Sequence, residues 1–115
     1  MALNTLRGRY SFKRVMAHGR FTRSNGVRVH FTHNGTDANR YGVAATMAVG
    51  GAVVRNRVRR WSRELLRQWD AQIAPGHDLV VFVNNKDAQE DFRSFAIHLA
   101  HSLRKAELAE GELHV

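Results

Sequence analysis

Between positions 55 and 67 six arginines and one asparagine, Arg55, Asn56, Arg57, Arg59, Arg60, Arg63 and Arg67, are opposed by a lone acid, Glu64. A guanidinium group is a planar fork of donors that can grip two phosphate oxygens and can also stack on a base. At spacings of three and four on a helix such groups share one side, where like charges repel instead of supporting each other. Arg55 and Arg57 would also stand beside the positive end of the helix dipole, at a cost of about 0.3 to 1 kcal/mol each. A bound anion reverses that sign, because the amides following Gly50-Gly51 and two guanidinium groups can meet on one phosphate. The chemistry is polyanion binding. With no helix-turn-helix or zinc-finger spacing in the chain, RNA is the expected partner ahead of DNA.

Other chemistries find few residues. A protein nuclease needs converging carboxylates, and the only acidic group, Asp87, Glu90 and Asp91, reads as the negative start of a helix. No Ser-His-Asp arrangement and no glycine-rich phosphate loop with its lysine is present. The absence of cysteine removes disulfides, thiol nucleophiles and Cys-containing zinc sites. His98 and His101 stand three apart on one expected helix, yet no third ligand lies nearby. The expectation is therefore a chain with no catalytic residue and no dedicated metal site.

The bulk composition agrees with a folded RNA-binding domain. Eighteen Lys plus Arg against ten Asp plus Glu give a net charge of +8, with a pI near 11.3, a balance that suits a polyanion partner. Apolar residues at 43% against 24% charged argue for a packed core, and 115 residues suffice for one domain, residues 1–115. No apolar run approaches the roughly 20 residues that span a bilayer, and the first residues lack the apolar stretch of a signal peptide. A cytoplasmic location without membrane contact is expected.

The elements that must carry the arginines can be read in order. Residues 1–10, with Arg7 and Arg9, read as a flexible basic arm. Ser11 is placed to cap a first helix bearing Phe12, Val15 and Met16, which Gly19 can end. Val27, Val29 and Phe31 alternate with Arg28, His30 and Thr32, the period of a strand with one buried face, and Asn34-Gly35 starts a turn. A further strand is expected from Tyr41 to about Val49, before Gly50-Gly51. From Ala52 to Trp69, Val54, Val58, Trp61, Leu65 and Trp69 fall in one helical stripe. The run Leu79 to Val83 is continuously apolar, as in a strand covered on both sides. A last helix is expected from near Asp87 past Leu103, with Phe92, Phe95, Ala96 and Leu99 on one side. The class is α+β: helices against one mixed sheet.

The run Ala48-Val49-Gly50-Gly51-Ala52-Val53-Val54-Arg55-Asn56-Arg57-Val58-Arg59-Arg60, followed by Arg63-Glu64, resembles the signature of the bacterial ribonuclease P protein family. Phe12-Lys13-Arg14-Val15 with His18-Gly19, Tyr41-Gly42-Val43 and the Asp78–Val83 strand sit at family-like positions, so the resemblance covers nearly the whole chain. It implies a two-layer α-β sandwich of about four strands and three helices in the order α-β-β-β-α-β-α, with a left-handed crossover that general handedness rules would not give.

The resemblance further implies that Arg55, Asn56, Arg57, Arg59, Arg60, Arg63 and Arg67 bind the catalytic RNA subunit, one protein per RNA. Phe12, Met16, Arg28 and His30 match a cleft that holds the single-stranded 5′ leader of precursor tRNA. Cleavage would be Mg2+-dependent and carried by the RNA, the holoenzyme being the endoribonuclease that matures tRNA 5′ ends. The chain departs from the family where Met16 replaces a second cleft aromatic, and where Met47 and Ala48 stand in place of basic residues, which implies a weaker hold on the leader. Two other readings are a purely structural RNA-binding module and a true protein endonuclease.

Overall fold

The computed structural model describes residues 3–89 and 91–114. Met1 and Ala2 of the arm, Glu90 of the acidic group and the Asp87 side chain lie outside the described residues. The chain forms α1 (Arg9–His18), β1 (Arg20–Ser24), β2 (Val27–His33), β3 (Arg40–Ala45), α2 (Ala52–Trp69), β4 (His77–Val83) and α3 (Phe92–Lys105), with short 3-10 turns at Asp70–Gln72 and Lys86–Gln89. The sheet order is β1-β2-β4-β3. β1 and β4 pair antiparallel to β2, whereas β3 and β4 are parallel and α2 provides the crossover between them. This is the expected α+β sandwich, three helices and a four-stranded mixed sheet in the order α-β-β-β-α-β-α.

Alternation along the strands divides the side chains between two faces. Val27, Val29, Phe31, Tyr41, Leu79, Val81 and Val83 face α2 and α3 and join Leu65, Leu66, Trp69, Phe95, Leu99 and Leu103 in the main core. Val80, on the other face of β4, packs with Val15 of α1, Leu6, Phe12, Met16 and Phe82 in a smaller cluster. β4 is thus covered on both sides, as its continuous apolar run requires. α2 buries Val58, Ser62, Leu65, Leu66 and Trp69. Each fully buried large side chain contributes about 1.5 to 3 kcal/mol, enough to hold a helix whose other side repels itself. Trp69 also donates its Nε1–H to the His114 carbonyl at 2.8 Å, so the chain's last segment closes that end of the core.

Four local readings change. α1 begins at Arg9 with Gly8 as its N-cap, and Ser11 makes no cap. Leu6 donates to the Tyr41 carbonyl and Tyr41 to that of Asn4, at 2.7 and 2.9 Å, which lays the preceding segment on the edge of β3 and starts the helix early. β1 is a strand that the apolar pattern did not reveal. β3 ends at Ala45, where β4 also ends at Val83; beyond that register Thr46 to Gly50 turn, with Val49 donating to Thr46 at 3.0 Å. α3 begins at Phe92 because Asp91 is its N-cap, accepting from the Ser94 amide at 2.9 Å and the Ser94 hydroxyl at 3.0 Å. Those hydrogen bonds hold the Asp91 carboxyl below the usual range.

Two contacts fix α1 on the sheet. A Cβ at Gly19 would stand 2.5 Å from the Val15 carbonyl oxygen and 2.6 Å from that of Phe31, so only glycine lets the helix end press against β2. Asp78, wholly buried on β4, accepts from Arg14 of α1 at 2.5 Å, from Arg40 Nε and Nη2 of β3 at 2.7 and 2.8 Å, and from Asn34 at 3.2 Å. Burial alone would raise this carboxyl. The hydrogen bonds from Arg40 and Asn34, with the charges of Arg40 and Arg14, outweigh it and hold the pKa below the ordinary value.

Candidate nucleic-acid interface

α2 starts where Gly50, at φ +152, turns the chain, and Gly51 serves as an N-cap with no side chain to offer. No acidic residue occupies the first turn, so neither a cap nor a carboxylate satisfies its amides. At 3.6 residues per turn, Arg55, Arg59, Arg63, Asn56, Arg67 and Arg60 fall on one flank, opposite or beside the buried stripe. Asn56, Arg60, Arg63 and Arg67 are exposed and Arg55 and Arg59 half-buried. The Arg55 Nε is buried with no hydrogen-bond partner among the described residues. Arg59 donates to Asn56 Oδ1 at 2.9 Å and reaches the Ala45 carbonyl at 3.5 Å. Arg60 lies 3.9 Å from Glu64, both exposed, a contact worth little in water. Arg57 stands apart on the other border of the helix, its guanidinium 5.2 Å from the centre of the Trp61 ring.

The face of the sheet that α1 only partly covers carries a second constellation. Arg28 and His30 of β2 lie on it, with Phe12 and Met16 half-buried on the adjoining helix. His30 stacks on Phe21 at 5.0 Å between centroids and meets Phe82 edge-on at 5.9 Å. Arg28 lies over Phe21 at 5.4 Å and over Phe82 at 5.8 Å. Phe21 is 52% exposed. His30 is buried, and neither ring nitrogen has a hydrogen-bond partner among the described residues. Burial first, and then the Arg28 charge, lowers its pKa, so it presents a neutral ring with one donor and one acceptor unspent.

A groove of about 370 Å³ is lined by Arg63 and Arg67 of α2 together with Leu6, Phe12 and Tyr41. The four cleft residues read from the sequence therefore come together, and Phe12 reaches both the cleft and the arginine flank. Phe21 and Phe82 were missed. The Asn25-Gly26 pair could have located Phe21, because both residues have positive φ and Asn-Gly is the strongest short hairpin signal; a hairpin makes Arg20–Ser24 a strand. Phe82 was hidden in a run whose two faces are both apolar. Of the two departures noted in the sequence, Met16 packs in the cluster with Phe12 and Phe82, and Met47 is 81% exposed in the turn before α2.

Among the described residues no three His, Cys, Asp or Glu side chains gather as a cation-binding group. His98 and His101 both point Nδ1 at Ser24 Oγ, at 2.7 and 3.3 Å, a hydrogen-bonded contact of α3 with β1. No described helix is long and apolar enough to cross a membrane.

A family model described as ribonuclease P matches residues 2–107. Among curated proteins, the ribonuclease P protein component of Caldanaerobacter subterraneus subsp. tengcongensis is 31% identical over 108 residues, covering 94% of this chain and 93% of the relative. That of Thermoanaerobacter is 33% identical over 96 residues, covering 84% and 79%. Among solved structures, the RNase P protein of Thermotoga maritima superposes with a TM-score of 0.79 at 30% identity, covering 94% of this chain and 99% of that one. The Staphylococcus aureus RNase P protein reaches 0.84 at 22% identity over 95% and 100%, a likeness of fold. With an uncapped, arginine-flanked helix at the signature run and matches along nearly its whole length, the chain belongs to the ribonuclease P protein component family, whose members serve as a subunit in tRNA processing.

Proposed function

We propose that α2 binds the catalytic RNA of ribonuclease P and that the cleft beside α1 holds the single-stranded 5′ leader of precursor tRNA. One observation carries the reading: Phe12, which packs with Met16 and Phe82 on the sheet face, also lines a groove with Arg63 and Arg67 of α2. Arg55, Arg59 and Arg63 neutralise phosphates of the folded RNA, and the free amides at the start of α2 take a further anionic oxygen. In the cleft Phe21, Phe12, Met16 and Phe82 offer apolar faces to unstacked bases while Arg28 neutralises the strand. His30, stacked on Phe21 at 5.0 Å, holds that exposed ring in place for a base to cover.

The hydrolysis of the leader belongs to the RNA subunit in this reading, with one protein per RNA. Mg2+ supplies a Lewis acid and a metal-activated water to such reactions. Among the described residues no three His, Asp or Glu side chains gather to hold that ion, and the buried carboxylate Asp78 is already spent on Arg14, Arg40 and Asn34. The metal is therefore assigned to the RNA.

Phe12→Ala and Phe21→Ala test the cleft. Each should weaken holoenzyme binding of a precursor with a leader by about fivefold to a hundredfold, from the loss of one stacking contact worth about 1 to 3 kcal/mol. Affinity for mature tRNA and for the RNA subunit should stay as it was. Equal losses for precursor and mature tRNA would remove the leader from the cleft.

A further inference from the structure

At the end of the sheet remote from the start of α2, His18, Arg20, Thr32, His33 and His77 surround a cavity of about 160 Å³. Each ionisable group comes from a different element: His18 closes α1, Arg20 opens β1, His33 ends β2 and His77 opens β4. The β2–β4 register sets His33 opposite His77, and their rings lie 4.7 Å apart. Arg20 is held over the Phe31 ring at 5.3 Å.

No carboxylate lines this cavity among the described residues. Asp78, next to His77 in sequence, points to the other face and is engaged by Arg14, Arg40 and Asn34. Glu107 lies beyond Arg20 in an adjoining groove, together with Lys105. Asp37, in the loop after β2, is exposed and does not reach the lining. Two imidazoles in contact repel once both are charged, and an anion between them relieves that repulsion.

The hydrogen bond of His77 decides which of its nitrogens can meet an anion. Its Nδ1 lies 3.1 Å from the Ala74 carbonyl oxygen, an acceptor that requires the proton to sit on Nδ1. In the neutral ring Nε2 then carries a lone pair, which rejects an anion; the imidazolium carries an N–H there, which donates to one. We propose that this cavity binds a phosphate-type oxyanion together with a proton, the anion being either an RNA backbone phosphate or free inorganic phosphate. The site is separate from α2 and from the leader cleft, and the signals of His18, His33 and His77, which line it, read it apart from any sulfate held at α2.

Sulfate is the probe, because its charge is constant between pH 6 and 8. Titration of the full chain at constant ionic strength, followed by the histidine Cε1–H NMR signals and by calorimetry in two buffers, should give sulfate binding about tenfold or more tighter at pH 6 than at pH 8, with proton uptake. The His33, His77 and His18 signals should move with sulfate. His33→Gln, at an exposed position, and His77→Gln should abolish the pH dependence, and Arg20→Gln should weaken binding at both pH values. If saturating catalytic RNA or precursor tRNA displaces sulfate at pH 6, an RNA phosphate is the occupant; if only inorganic phosphate does, the free anion is. Equal affinity at the two pH values, or binding unaffected by His33→Gln and Arg20→Gln, would mean an adventitious ion only and would overturn the proposal.

Discussion

Replacing Arg55, Arg59 and Arg63 together with alanine should reduce affinity for ribonuclease P RNA by about a hundredfold or more at moderate salt, the loss expected for three charge-assisted phosphate contacts. The signature of the loss is its salt dependence. Each phosphate contact removed lowers the slope of log affinity against log salt by about 0.7 to 0.9, so the triple variant should be flatter by about 2 to 3. The fold should not suffer. These side chains lie outside the buried stripe of Val58, Leu65, Leu66 and Trp69, and their removal relieves repulsion along α2 and next to its positive end. Thermal unfolding should therefore stay level or improve slightly while binding collapses. Filter binding at three salt concentrations checks the slope; parallel lines for parent and variant would mean that the arginine flank does not contact phosphate.

The second large effect concerns the support beneath the cleft. Asp78 ties α1, β3 and the loop after β2 to β4 through Arg14, Arg40 and Asn34. Because the carboxyl is held below its ordinary value in the folded state, its ionised form stabilises the fold. That contribution is complete above the unfolded-state value of about 4 and is lost as pH falls through the lowered value. Asp78→Ala should cost about 2 to 4 kcal/mol near neutrality, at the lower side of what breaking a buried pair costs, because Arg14 and Arg40 keep 32% and 44% of their side chains in water. Melting curves from pH 7 down to pH 2 check it: the parent should lose more stability over the acid range than the variant, which keeps only the losses from other carboxylates such as Asp91. Identical acid profiles would place the parent's acid sensitivity elsewhere.

The particular elements differ in how far the sequence revealed them. α2 was legible to the residue, Ala52–Trp69, because eighteen residues give a stripe several turns long with Gly50-Gly51 before it. β1 was not, since Arg20–Ser24 alternates only weakly in polarity and packs its buried side through Thr22 and Ser24, which bond Ser102 and His98 of α3. Polar contacts of that kind leave no apolar period. An arginine-rich flank on α2 could be named from charge and spacing, yet not that Arg57 lies over the Trp61 ring. The cleft was half legible: Phe12, Met16, Arg28 and His30 converge, but Phe21 required the hairpin and Phe82 required knowing which face of β4 it takes. That β3 ends at Ala45 follows from the length of its partner strand, a tertiary fact with no local signal.

The proposed role as the protein subunit of an RNA enzyme makes one demand above the others, that this chain and the RNA act together. The direct measurement is 5′ cleavage of a precursor tRNA at low Mg2+ by the protein alone, by bacterial ribonuclease P RNA alone, and by both. The account predicts strong cleavage only in the combined reaction, with the gain lost in the Arg55, Arg59, Arg63 triple variant. Cleavage by the protein alone would contradict it by requiring a catalytic site in this chain, and a protein that binds the RNA yet adds nothing at any salt concentration would leave a structural RNA-binding module in its place.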